Sequence, residues 1–248
     1  MFPLGDDNTA RRTTPVVVYG LILMNAVVWL LQLTLGDAFT MGFSTVPYEI
    51  THGTDLVGVQ RIEVGGEVHP LRHFPGPTPI YLTLLTSMFM HGGWMHIIGN
   101  MVYLWTFGDQ IEDELGHGKF LLFYLLCGLA AGLAQVFYHP DAVIPALGAS
   151  GAIAGVLGGY LVRHPRNRVR VLFGYNVIAV PALLVLGFWF VLQVISQVSV
   201  VQGAGGVAYM AHIGGFVTGV ILIFLFGRRR PAAAGASSAG LSGRRQRG

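Results

Sequence analysis

Apolar residues in this chain gather into long runs separated by short polar or glycine-rich segments. The runs are continuous and lack the period-2 alternation of barrel strands, which predicts helices. About six of them approach the length that about 30 Å of hydrocarbon requires: residues 16–33, 93–107, 120–138, 150–162, 171–195 and 208–226. The predicted fold class is all-α, a polytopic membrane protein built as a six-helix transmembrane bundle. A membrane domain over 15–227 follows a polar N-terminal segment, 1–14. A tail rich in Arg, Ala, Gly and Ser, 228–248, has the composition of disorder. The first span reads as a retained anchor rather than a removed signal peptide, because no small-residue cleavage site precedes it.

Composition agrees with the pattern. Hydrophobic residues make up 53% of the chain and charged residues 11%, against roughly 25% charged in soluble domains. Arginines decide the orientation. Arg11 and Arg12 precede the first span, Arg163, Arg166, Arg168 and Arg170 separate the fourth from the fifth, and Arg228, Arg229 and Arg230 follow the sixth. Six spans put all these clusters on one side, which the positive-inside rule makes cytoplasmic. The expected location is the cell membrane, with both termini cytoplasmic. Topology therefore accounts for the net charge of +3, and the expected partner is the lipid bilayer, with no nucleic acid. The single Cys127 excludes an intrachain disulfide and a cysteine metal cluster. The first loop, 36–79, is long enough to carry short elements of its own. The charge-free stretch 80–91 either lies in the interface or extends the second span outward.

Polar side chains inside apolar spans are expensive and mark function. Ser150 opens the fourth span within Gly148-Ala149-Ser150-Gly151, and His212 stands in the sixth. A hydroxyl and an imidazole are the minimum kit for nucleophilic hydrolysis. From the arginine boundary, the helical rise sets Ser150 at about 20 Å, which is about 10 Å below the outer surface. The same measure brings His212, His96 and Asn100 into a band roughly 10 Å thick in the outer half. Such a cluster needs a water-containing cavity. Gly151, Gly155 and Gly159 recur every four residues, as do Ala211, Gly215 and Gly219. Stripes of small residues let membrane helices pack backbone to backbone, which would bring His212 beside Ser150. No carboxylate falls within an apolar span, so a Ser/His dyad is expected rather than a triad. Asp141 is the one acidic candidate on the outer side beyond the first loop.

His96 and Asn100 share a helix face and supply the donor types that a developing oxyanion needs. The Ser150 backbone N–H at a helix N-terminus is a further donor. His91 is read as anchoring the loop. Asn25 and Gln32 are read as making local hydrogen bonds. His52, His69, His73, His117, His139 and His164 show no metal-ligand spacing, and neither HExxH nor a Cys/His pattern is present, so no metal or other cofactor is expected.

Three motifs in order, His91-Gly92-Gly93-Trp94-Met95-His96-Ile97-Ile98-Gly99-Asn100, Gly148-Ala149-Ser150-Gly151 and Ala211-His212-Ile213-Gly214-Gly215 with Gly219, resemble the rhomboid family of intramembrane serine proteases. The resemblance covers 87–219. It implies a rhomboid-like bundle with Ser150 as nucleophile, His212 as general base and then acid, and His96 with Asn100 at the oxyanion hole. Gly148, Gly151 and Gly215 would be structural beside the site. The implied reaction is cleavage of transmembrane protein substrates near their outer end, without metal or nucleotide. By the same resemblance the 197–207 loop would cap the site and the fifth span would move to admit substrate. The stretch Tyr81-Leu82-Thr83 lacks the Trp-Arg pair that some members carry, and Ala154 stands where some place a tyrosine to stack on the histidine. The GxGD signature of aspartyl intramembrane proteases is absent. Two other classes compete: a non-catalytic rhomboid-like protein that escorts client helices, and a small transporter or channel. The second would be expected to show internal repeats, and no convincing repeat is visible.

Overall fold

The computed structural model describes residues 2–7, 9, 11–64, 66–199 and 208–227. A short strand, β1 (Phe2–Gly5), leads to a long helix, α1 (Val16–Gly42), kinked at Gly36 where φ is 73°. The connection to the next long helix holds α2 (Pro47–His52), a hairpin of β2 (Gly58–Val64) and β3 (Glu67–His73), and α3 (Thr83–Thr86) between two 3-10 turns. Then come α4 (Trp94–Leu115), α5 (His117–Tyr138) and α6 (Ser150–Arg163), a second hairpin of β4 (Arg168–Phe173) and β5 (Asn176–Pro181), α7 (Ala182–Ser199) and α8 (Tyr209–Phe226).

The molecule is mostly helical, as the apolar runs predict, with two departures. The first is the strands. Residues 171–181, assigned to the fifth span, form part of an antiparallel hairpin, and β1 pairs with β4 to complete a three-stranded sheet. Alternation explains it: Val169 and Val171 are fully buried while the flanking arginines point outward, and Gly174 turns the chain at φ +60°. The fifth helix therefore starts at Ala182. The second departure is length. Among the described residues, three helices are long and apolar enough to cross a membrane, α1, α5 and α8, and Ala182–Val198 is a shorter apolar helix. The acidic group Asp109, Glu112, Asp113 and Glu114 occupies the end of α4, and α6 has only 14 residues.

The shortness of α6 follows from its position. It contacts α4, α5, α7 and α8, and every residue from Gly151 to Tyr160 is buried. A helix enclosed by its neighbours is matched to protein rather than to lipid thickness. Leu104, Phe107, Phe120 and Phe123 from the neighbouring helices share the core with its own Leu157 and Tyr160. On α1 the buried positions Val18, Leu21, Asn25, Trp29 and Gln32 recur at helical spacing, one face turned to the bundle and the rest outward.

One end of the bundle gathers a set of paired basic and acidic side chains. Arg11 pairs with Asp109 at 2.9 Å, and Arg163 pairs with Glu114 at 3.2 Å and donates to the carbonyls of Ile223 and Gly227. Glu112, buried, accepts from the backbone N–H groups of Val17 and Val18 at 2.9 and 2.8 Å. It satisfies donors that the N-terminus of α1 would leave bare. Asp6 accepts from Gln110 and Tyr160, and burial pushes its carboxyl up to about 6.

Candidate active site

The opposite end carries the first residues of α6 and α8. Gly215 lies against the Gly151 carbonyl and Gly219 against the Gly155 carbonyl, so closely that a Cβ at either position would collide with backbone. A Cβ on Gly158 would strike the Phe216 carbonyl. Gly151 and Gly155 face Ala131 and Cys127 of α5 on another side. These glycines are required by close approach.

That approach sets His212 beside Ser150: the imidazole Nε2 lies 2.8 Å from the Ser150 Oγ. The other ring nitrogen, Nδ1, lies 2.8 Å from the Oε1 of Gln193 on α7. The partner of His212 is thus a neutral amide and not Asp141, which lies exposed in the turn after α5. The rings of Trp189 and Tyr209 lie 5.8 and 6.4 Å from the imidazole. Aromatic contact comes from α7 and α8, where Ala154 of α6 offers none.

The histidine on α4 has the opposite arrangement. The Gly92 N–H donates to His96 Nδ1 at 3.3 Å. With Nδ1 accepting, a neutral ring carries its proton on Nε2. That nitrogen faces Gly148, where a Cβ would sit 2.8 Å from it and 3.5 Å from Ser150 Oγ. Gly148, at φ +126°, keeps this space open. Asn100, one turn after His96, is 7% exposed and its Nδ2 has no hydrogen-bond partner. A buried donor left unpaired is costly and belongs with sites where the partner arrives during function.

His91 is buried, and its backbone is clamped by Gln32 of α1: Nε2 donates to the His91 carbonyl at 2.8 Å and Oε1 accepts from its N–H at 3.0 Å. Gln32 therefore reaches across the bundle rather than bonding only locally, whereas Asn25 does bond locally, to the Leu21 carbonyl. The stretch 80–91 does not extend α4, since non-helical residues at 90–93 separate the two. It is braced instead by threonine and serine: Thr45 Oγ1 bonds the Thr83 carbonyl and Ser87 Oγ, Thr86 donates to the Phe43 carbonyl, and the Gly148 N–H donates to the Ser87 carbonyl. This network ties the first loop to the segment entering α6. Residues 200–207 of the expected capping loop, and the tail 228–248, lie outside the described residues.

Glu49, also in the first loop, is buried and accepts from the Leu56 N–H at 3.0 Å. Desolvation, with Asp55 nearby, raises its carboxyl to about 7.

Comparison with known proteins gives these contacts a context. Residues 79–229 match the model of the Rhomboid domain. Rhomboid protease GluP of Bacillus subtilis is 35% identical over 154 residues, 61% of this chain and 27% of its own length. Rhomboid protein 1, mitochondrial, of Saccharomyces cerevisiae is 34% identical over 151 residues, 56% of this chain and 40% of its own length. Rhomboid-like protein 11, chloroplastic, of Arabidopsis thaliana is 27% identical, over 60% of this chain and 54% of its own length. The chain thus spans only part of these relatives. The matched segment takes in all three motifs and every helix that carries Ser150, His212, His96 and Asn100, and on that match the chain belongs to the rhomboid family.

Proposed function

We propose that this protein is an intramembrane serine endopeptidase that cleaves transmembrane helices of membrane-protein substrates near their outer end through a Ser150/His212 dyad. The observation that carries the reading is the 2.8 Å contact between His212 Nε2 and Ser150 Oγ. Two of the relatives bear the names of a rhomboid protease and a mitochondrial rhomboid protein, which agrees with it. The proposal includes a six-helix bundle over 15–227, formed by α1, α4, α5, α6, α7 and α8. It also includes a cell-membrane location with cytoplasmic termini, supported by the arginines at the end opposite Ser150.

Ser150 Oγ attacks the carbonyl carbon of a locally unwound substrate helix while its proton passes to His212 Nε2. The tetrahedral oxyanion accepts hydrogen bonds from His96 Nε2–H, Asn100 Nδ2–H and the Ser150 backbone N–H. On collapse the C–N bond breaks and His212 returns the proton to the leaving amine. Water then enters, gives a proton to His212, and hydrolyses the ester. His91, Gly148, Gly151 and Gly215 keep the cavity open and its walls in place. The chemistry calls for no metal or other cofactor.

The test is reconstitution in liposomes with a single-pass model substrate. The proposal predicts a discrete cut near the substrate's outer end and none with Ser150→Ala. An intact substrate with the wild-type protein, together with solute flux across the liposomes, would favour transport instead.

A further inference from the structure

The imidazole of His212 is bonded at both nitrogens, to Ser150 on α6 and to Gln193 on α7, each at 2.8 Å. The amide of Gln193 is oriented by its own helix: Nε2 donates to the Trp189 carbonyl, four residues back, at 3.5 Å. That leaves Oε1 facing the ring. A carbonyl oxygen can only accept, so Nδ1 bears the proton and Nε2 presents its lone pair to the serine hydroxyl. We infer that Gln193 is the positioning residue of the Ser150/His212 pair, holding the imidazole in the tautomer and rotation that a general base needs. The inference rests on the catalytic reading of Ser150 and His212 given above.

The surroundings support this role. Trp189 and Gln193 are one turn apart on α7, and both meet His212, one with an indole ring 5.8 Å away and the other with a hydrogen bond. The same helix thus supplies the ring's wall and its anchor. In a triad the orienting group is a carboxylate, which also stabilises the imidazolium. A glutamine supplies orientation without charge. The titratable groups facing the ring, among the described residues, are Tyr209 on α8 and His96 on α4, so no carboxylate takes that second part.

The test uses the whole 248-residue chain in detergent, a transmembrane model substrate, and two variants. Gln193→Met removes the acceptor while keeping the side chain's length. Gln193→Glu keeps the acceptor and adds charge. Gln193→Met is expected to lower kcat about 10- to 100-fold with KM nearly unchanged, by analogy with the loss of the outer hydrogen-bond partner of a metal-bound histidine. Gln193→Glu is expected to recover most of that loss. It should also move the acid limb of the kcat–pH profile upward by about one pH unit, because a carboxylate favours the protonated imidazole. A merely structural role would move neither the profile nor the difference between the two variants. Gln193→Met at wild-type rates, or Gln193→Glu as slow as Gln193→Met with an unmoved profile, would overturn the inference. Failure of wild-type Ser150 to react with a fluorophosphonate probe would instead overturn the catalytic reading beneath it.

Discussion

Replacing Gly215 by alanine tests whether close helix approach sets the chemistry. A Cβ at this position would collide with the Gly151 carbonyl, the residue directly after Ser150. Ordinary contact for a methyl carbon is about 3.5 Å or more, so α8 must retreat from α6 by at least about 1 Å. Gly215 is one turn from His212, and the retreat acts on the 2.8 Å contact between His212 and Ser150. Adding about 1 Å takes that pair beyond hydrogen-bond range. Misplacement of reacting groups by about 1 Å costs on the order of 100-fold in rate. Overpacking costs about 1–3 kcal/mol of stability, partly offset by about 0.5–1 kcal/mol from the better helix propensity of alanine. The assay is the initial rate of substrate cleavage in detergent, read beside a thermal melt of the same sample. Gly20→Ala, on α1 with open space around it, is the control and should leave the rate unchanged. Wild-type cleavage by Gly215→Ala would refute the argument that these glycines hold the pair in register.

Other outcomes follow from the same geometry. Asn100→Ala should lower kcat by about 10²–10³-fold, the usual cost of an oxyanion donor, with little change in melting temperature, since its Nδ2 makes no bond in the resting protein; steady-state kinetics and a melt on one preparation check both. Asp6 has a carboxyl raised from 3.8 to about 6 by burial, so the folded state favours its protonated form. The contribution to anchoring β1 is complete below about pH 4 and is lost as pH rises through about 6. The protection of the β1 amides, corrected for the intrinsic base-catalysed rate of exchange, should therefore fall between pH 5 and 7, and Asp6→Asn should flatten that dependence.

The helices that carry the site were readable in the chain because their signals are long and redundant. Residues 120–138, 150–162 and 208–226 match α5, α6 and α8 within a few residues at each end. The short helix α6 could be levelled from Arg163, which indeed anchors one end of the bundle through Glu114 and the α8 carbonyls. The β4–β5 hairpin is hidden in the sequence because a short apolar run reads alike as strand or buried helix. The alternating Arg168-Val169-Arg170-Val171 was the signal available. Gln193 escaped for a different reason. It lies 19 residues before His212 on another helix, and no motif links them. Its one mark is that it is the first polar side chain in an apolar helix after Ala182, the kind of position that membrane physics flags. Gln32 stands out as a polar side chain in an apolar span, but its partner is 59 residues away in sequence, so the chain alone suggests only a local bond. Long-range partners of amides are set by packing, which hydropathy does not encode.

The central claim is that Ser150 is a nucleophile activated by His212. Its most direct measurement is mass spectrometry of the purified protein after reaction with a fluorophosphonate. The account predicts a single adduct on Ser150 in the wild type, loss of it in Ser150→Ala, and a large drop in its rate of formation in His212→Ala. An adduct on another residue, or a rate in His212→Ala equal to wild type, would contradict the account.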